Sequence, residues 1–279
     1  MESQEATDAV EYIRAELAKT KSSTWRRALQ KFALAALGSI PRVGGFIAAA
    51  VSLKTEEPGI RQNILQNQWL EEHTEKMGRL AGTLNEIAQR FENLGEQIDE
   101  RIQSEEYLDV VRKAFRTWDH ADTDEKRRLV ANLVGNAAGT RLCSDDILRL
   151  FIDWLATYHE AHFAVIREIY NKPGITRYEI WMVLKGELVR EDSAEADLYK
   201  MLIRDLSMGG VIRQARDTTE DGRFLKKRSS QHRGSSSQTM ESAFEDTEPY
   251  VLTELGKQFV HYTMTEIVPR ISAGKEQQR

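Results

Sequence analysis

The 279-residue chain has a single cysteine, five prolines and few aromatic residues. One thiol, Cys143, excludes a disulfide framework and a zinc site built on paired thiolates, and it suits a reducing cytoplasm. Five prolines and 8% aromatics argue against a sandwich of many short strands and for a helix-rich chain. A net charge of −5 excludes a surface that coats nucleic acid throughout. With 41% apolar and 30% charged residues the chain can bury a core and is not disordered as a whole, and its length allows one or two domains.

The most informative absence is local. Between Glu16 and Glu56 there is no acidic residue, while Lys19, Lys21, Arg26, Arg27, Lys31, Arg42 and Lys54 all fall there. Ahead of this segment the first 16 residues carry five acids and one base, which sets it apart from a signal peptide. From Phe32 to Leu53 the only charge is Arg42. A basic, apolar, acid-free segment in an acidic protein is the composition that meets anionic lipid. The 22 residues could cross a bilayer by length, but Gly38, Pro41, Gly44 and Gly45 interrupt them. Arg42 at mid-bilayer would also cost roughly 2.5–3.5 kcal/mol. Two short helices joined across Gly38–Gly45 fit better. In the first, Thr24 to Leu37, Trp25, Leu29, Phe32, Ala36 and Leu37 share one side, and Arg26, Arg27, Gln30 and Lys31 the other. The candidate membrane-facing residues are Trp25, Arg26, Arg27, Lys31, Phe32, Phe46, Ile47 and Val51. The competing reading is a helical hairpin buried in the chain's own core.

From Ile60 to Ile102 the pattern becomes heptad-like. Met77, Leu80, Leu84, Ile87, Phe91, Leu94, Ile98 and Ile102 form a seam for a coiled coil with a second copy or for a long helix within the chain. Compact helices follow, each with a start signal: Asp122 with Glu125, then Ser144, then Thr157 with Glu160. Thr176 with Glu179 and Asp192 with Glu195 open two more. Gly209–Gly210 turns into a strand-like Val211–Gln214, and a second strand-like run, Tyr250–Thr253, leads into a closing helix.

The order helix, helix, helix, strand, strand, helix, with "YVLTELGKQFV" after the second strand, resembles the winged-helix superfamily over residues 160 to 268. "GSIPRVGGFIAAA" ahead of a long polar helix, then "DEKRRLVANLVGNAAG", is similar in pattern and order to helical proteins of bacterial abortive-infection and other phage-defence systems. No catalytic residue carries over from that likeness. The expected fold is mostly α: a helical bundle with a long central helix, followed by a winged-helix domain. The expected divisions are 1–56 (N-terminal helices), 57–140 (long helix and bundle), 141–270 (connector and winged helix) and a tail at 271–279. A disordered wing insert is expected at about 217–248.

A helix that reads the major groove exposes arginine, lysine, asparagine or glutamine at its start. Between Ala194 and Leu206 the expected exposed residues are Glu195, Asp197, Lys200, Arg204 and Asp205, with acids first, where phosphates would lie. The wing argues the other way. Arg213, Arg216, Arg223, Lys226, Lys227, Arg228 and Arg233 cluster there as a candidate site for nucleic acid or another anionic surface, although "KKRSSQHRGSSSQ" also has the composition of a solvated loop.

The residues do not assemble an enzyme. His159 and His162 lie three apart with Glu160 between them, not in the spacing of a zinc protease. Asp119, Asp122 and Asp124 lack the glycine and glutamate of a calcium loop, and Gly38–Gly45 lacks the lysine and hydroxyl of a phosphate loop. No catalytic residue, metal or cofactor is expected. Three functions remain. The first is a membrane-acting effector, cytoplasmic at rest and membrane-associated when active, whose winged helix docks a partner protein. The second is a DNA-binding regulator dimerised through residues 77–102, and the third a protein-binding scaffold; nucleic acid ranks below protein as a partner.

Overall fold

A computed structural model describes residues 23–40, 64–221, 223–225 and 242–264. Ten α-helices and one small antiparallel sheet of three strands make up the described residues, so the mostly helical expectation holds. The chain divides into two compact units, Met1–Thr157 together with Tyr262–Arg279, and Tyr158–His261.

The first unit contains α1 (Ser23–Gly38), α2 (Ile64–Leu94), a short 3-10 turn (Glu96–Ile98), α3 (Asp99–Gln103), α4 (Glu105–His120), α5 (Asp124–Gly139) and α6 (Asp145–Thr157). The seam Met77, Leu80, Leu84, Ile87, Phe91, Ile98 and Ile102 is buried within the chain, and α2 lies against α5. The heptad pattern suggested one continuous helix. Instead Gly95, at φ +72°, ends α2 in a left-handed turn that a β-carbon would strain.

Helix α5 is buried on every side from Leu129 to Ala138. Its sequence permits this because Ala131, Gly135, Ala137, Ala138 and Gly139 are small. A β-carbon at 135 would lie 3.3 Å from Arg90 Cδ, and one at 139 would lie 2.9 Å from Leu94 Cδ1, so α2 rests directly on the α5 backbone. Two polar residues in this buried helix have defined work. Asn132 Nδ2 donates to the Thr263 carbonyl at 2.8 Å, and Asn136 Nδ2 to the Tyr262 carbonyl at 3.0 Å. Carbonyls in the last turn of a helix have no partner within that helix, and the two amides supply one. Asn132 Oδ1 in turn accepts from Arg90 Nη1 at 2.7 Å.

Arg101 of α3 is nearly buried and pairs with Asp145 at the start of α6 through its two terminal nitrogens, Nη1 at 3.0 Å and Nη2. Its guanidinium lies 5.0 Å from the Tyr107 ring, whose hydroxyl donates to the Val134 carbonyl at 2.8 Å. Helix starts elsewhere depart slightly from the sequence reading. Thr123 rather than Asp122 caps α5, accepting from the Lys126 amide.

The second unit runs α7 (Glu160–Asn171), β1 (Ile175–Thr176), α8 (Arg177–Lys185), α9 (Ala194–Met208), β2 (Ile212–Gln214), β3 (Pro249–Leu252) and α10 (Glu254–Thr263), whose last two residues belong to the first unit. The strand order is β1-β3-β2, with Ile175 opposite Tyr250 and Arg213 opposite Val251. The Thr176–Glu179 capping box forms as the sequence indicates. His159, not Thr157, precedes α7, and its amide donates to His162 Nδ1 at 3.1 Å. Ser193, not Asp192, caps α9. Ala196, Tyr199, Leu202, Ile203 and Leu206 form the buried face of α9, whereas Leu198 is half exposed. The ends of the 217–248 insert are ordered: Leu225 N–H donates to the Asp217 carbonyl at 2.9 Å, Thr218 bridges Phe224, and Ala243 is buried.

The "YVLTELGKQFV" run has a physical meaning here. Tyr250 and Leu252 point into the core from β3. Thr253 Oγ1 donates to the Gly210 carbonyl at 2.6 Å and accepts from the Gly256 amide at 2.9 Å, so it starts α10 and ties it to the entry of β2. Gly256 lets the helix pass against the Val211 carbonyl oxygen, where a β-carbon would collide with backbone. Phe259 then stacks on Phe163, ring centroids 6.3 Å apart.

Two expected outcomes follow from these contacts. Gly256→Ala should destabilise the second unit by at least 1–3 kcal/mol, the usual range for overpacking, because the obstacle is main chain. Gly82→Ala, in open space on α2, should instead stabilise by about 0.5–1 kcal/mol. Thermal melting followed by circular dichroism reads both, and equal effects would contradict the packing described. The Arg101 hydrogen bond holds the Asp145 carboxyl below the ordinary carboxylate range. A group depressed in this way stabilises the fold above its unfolded pKa and ceases to do so as pH falls through its folded value. Arg101→Gln should therefore cost roughly 2–3 kcal/mol at pH 7, with the difference from the parent shrinking below about pH 4. Urea titrations at pH 7 and pH 3 measure it.

Candidate functional site

Two features gather the sequence-identified residues. The first is α1. Ala28, Leu29, Phe32, Ala33 and Ala36 are buried, and the Phe32 ring meets Phe91 at 5.2 Å and Phe115 at 6.2 Å, both edge-on. Phe32, a candidate for membrane contact, is thus a core residue of the first unit in this structure. Lys31 is exposed, and so is Leu34, at 69% of its surface. Trp25, Arg26 and Arg27 lie on α1 with their side chains outside the described residues, and Phe46, Ile47 and Val51 lie outside them altogether. No helix among the described residues is long and apolar enough to cross a membrane.

Helix α1 is weakly provided for by its own sequence. Its first turn contains no acid, and Arg26 and Arg27 sit near its N-terminus, where the macrodipole disfavours positive charge. Its last turn contains no base. What holds it is tertiary: the Phe32 cluster and its packing on α3 and α4.

The second feature is the outer face of the small sheet. Arg213 points outward from β2 beside Val251 of β3, and its guanidinium lies over the Phe224 ring at 4.6 Å. Arg216 and Arg223 are exposed. Lys226, Lys227, Arg228 and Arg233 lie outside the described residues. Between α7 and the strands is an open hollow of about 360 Å³. Ile169, Tyr170, Pro173 and Val251 wall it, and Arg213, Arg216 and Lys257 stand around it. Lys257 pairs with Glu254 at 2.7 Å, whereas Arg213 and Arg216 have no carboxylate partner among the described residues. The arginines are legible in the sequence, but the walls are not. Alternation along β3 could have revealed Val251, since Tyr250 and Leu252 point inward.

The start of α9 is different in character. Glu195, Asp197 and the half-exposed Leu198 face outward, and Lys200 pairs with Glu191 at 3.3 Å. Val183 and Leu188, near and just after the end of α8, are also exposed. This is an acidic surface with apolar points.

His159 precedes α7 and His162 lies in its first turn, so the two histidines do not share an exposed helix face. His162 is buried, stacked on Tyr158 at 5.0 Å, and burial lowers its pKa despite Asp205 at 3.8 Å. Its role at the start of α7 is structural. Among the described residues no three histidine, cysteine, aspartate or glutamate side chains group closely enough to hold a metal ion.

Comparison with known proteins adds no relative: no family model matches the chain, and no curated protein or solved structure matches it significantly.

If α1 depends on its docking, Phe32→Ala should cost about 3–5 kcal/mol, the range for deleting a buried ring. It should also speed trypsin cleavage after Lys31 in the otherwise folded protein. Urea unfolding and timed proteolysis read by mass spectrometry check both, and unchanged cleavage would mean that other contacts suffice.

Proposed function

We propose that the chain is a non-enzymatic, membrane-acting effector of a bacterial antiviral defence system of the abortive-infection type. In this reading residues 158–261 are a winged-helix unit that docks a partner protein. The basic, apolar segment 24–53 is the element that acts on anionic membrane. At rest the protein is cytoplasmic with α1 held against the bundle. Partner binding shifts a two-state equilibrium toward release.

The observation that carries this is the state of α1. An acid-free helix with arginines at its start and a phenylalanine in the core is held by docking alone, which is the property a releasable element needs. The winged-helix assignment is supported by the order α7-β1-α8-α9-β2-β3 and by the sheet order β1-β3-β2, in which the third strand lies between the other two. Protein docking is supported by α9, whose outward Glu195 and Asp197 would meet phosphates in a groove but suit a protein surface. Arg213, Arg216 and Arg223 favour the DNA-binding reading, which predicts binding that falls steeply with salt and is lost when residues 222–240 are deleted.

The deciding experiment mixes the full-length protein with phosphatidylglycerol-containing liposomes and records flotation and entrapped-dye release on one sample. Little binding is expected of the resting parent, and binding with release of the Phe32→Ala protein, in which α1 is loosened. Loss of that release when Phe46→Asp/Ile47→Asp is added, without loss of folding, would tie it to this segment. A folded triple variant that still releases dye would refute the assignment. Failure of the Phe32→Ala protein, with α1 loosened, to bind at all would place residues 24–53 permanently in the core and favour the scaffold.

A further inference from the structure

We propose that the outer face of the small sheet binds an acidic peptide segment of the partner protein, seating one bulky apolar side chain in the hollow between α7 and β2–β3. Carboxylates flanking that side chain pair with Arg213 and Arg216. The proposal rests on the reading of residues 158–261 as a protein-docking unit and is independent of what residues 24–53 do.

Charge complementarity selects the occupant. Arg213 and Arg216 stand at the hollow with no carboxylate partner among the described residues, and the nearby Lys257 is already engaged by Glu254. A guanidinium offers a planar fork of donors that a carboxylate accepts in two parallel bonds. Arg213 is also partly immobilised, because its guanidinium lies 4.6 Å from the centre of the Phe224 ring. Less freedom is therefore lost when a carboxylate binds it.

The walls decide between a peptide and other polyanions. Ile169, Tyr170, Pro173 and Val251 form an apolar lining, and about 360 Å³ accommodates a large side chain with its neighbouring backbone. A nucleic-acid duplex could reach the arginines with its phosphates but has no apolar group to fill the hollow without unstacking a base. A lipid headgroup layer is flat where this site is concave. A peptide with a phenylalanine or leucine between acidic residues satisfies walls and rim together. The acidic start of α9 would repel such a segment, which separates this site from the surface described there.

The test uses the full chain and a fluorescein-labelled peptide of the form Asp-Asp-Phe-Asp-Asp, with binding read by fluorescence polarisation. Saturable binding is expected, at least tenfold weaker in Arg213→Glu/Arg216→Glu and at least tenfold weaker for the peptide with serine in place of phenylalanine. Val251→Asp should weaken it similarly. Because that strand position is half-buried, the arginine double variant, whose side chains lie at the surface, serves as the primary comparison once its melting curve matches the parent. Equal affinity for the serine peptide would overturn the proposal, since charge alone would then suffice. So would a 20-base-pair duplex or phosphatidylglycerol vesicles displacing the peptide and binding more tightly through the same arginines. Absence of saturable binding up to millimolar peptide would overturn it as well. Membrane activity as expected above with no saturable peptide binding by the parent would remove this inference alone, whereas peptide binding without membrane activity would remove only the effector reading.

Discussion

The constraint on which the first unit depends is that α5 must be enclosed on every side. Ten consecutive buried residues leave no face for solvent, so neighbouring helices have to approach its backbone closely. Gly135 and Gly139 make that approach available to Arg90 and Leu94 of α2. An enclosed helix also cannot leave a side-chain amide unpaired without a desolvation cost of about 1–3 kcal/mol. Asn132 and Asn136 therefore fix what lies beside them, the terminal carbonyls of α10. Once α2 and α4 are set against α5, Phe91 and Phe115 define the site that Phe32 fills.

Much of this was legible in the sequence, for physical reasons that differ from element to element. The seam from Met77 to Ile102 could be read because burial on one side of a helix imposes a period near 3.5. Its interruption at Gly95 could not, since glycines at 78 and 82 look alike in sequence yet sit within regular helix. Start signals were readable to within a residue or two. Thr123 and Ser193 displaced the neighbouring aspartates as caps because several residues in a row can supply the accepting oxygen, and only the backbone geometry selects among them. Before α7 the shift was from Thr157 to His159, where no hydroxyl signal marks the start.

The candidate sites were less legible. Basic residues announce themselves by composition, so Arg213, Arg216 and Arg223 were identified at once. Their setting depends on which residues long-range pairing brings alongside. Val251 stands beside Arg213 only through strand register, and Tyr170 and Pro173 arrive from the end of α7 and just beyond it, 40 residues or more earlier in the chain. Phe32 carried opposite implications from the start, because an aromatic residue on an amphipathic helix suits a core and a membrane surface equally well. Its ring contacts identify the core as its place in this state.

The discontinuity of the first unit bears on how the protein is made. The side-chain amides Nδ2 of Asn132 and Asn136 in its central helix donate to the carbonyls of Thr263 and Tyr262, more than 120 residues later in the chain. A ribosome adding about 5–20 residues per second needs several seconds or more to travel from Asn136 to those positions. Through that interval the second unit, continuous from Tyr158 to His261, can assemble first, while the core that receives α1 stays incomplete. Translation itself thus sets the order in which the two units close, with the first unit, although begun earlier, completed last.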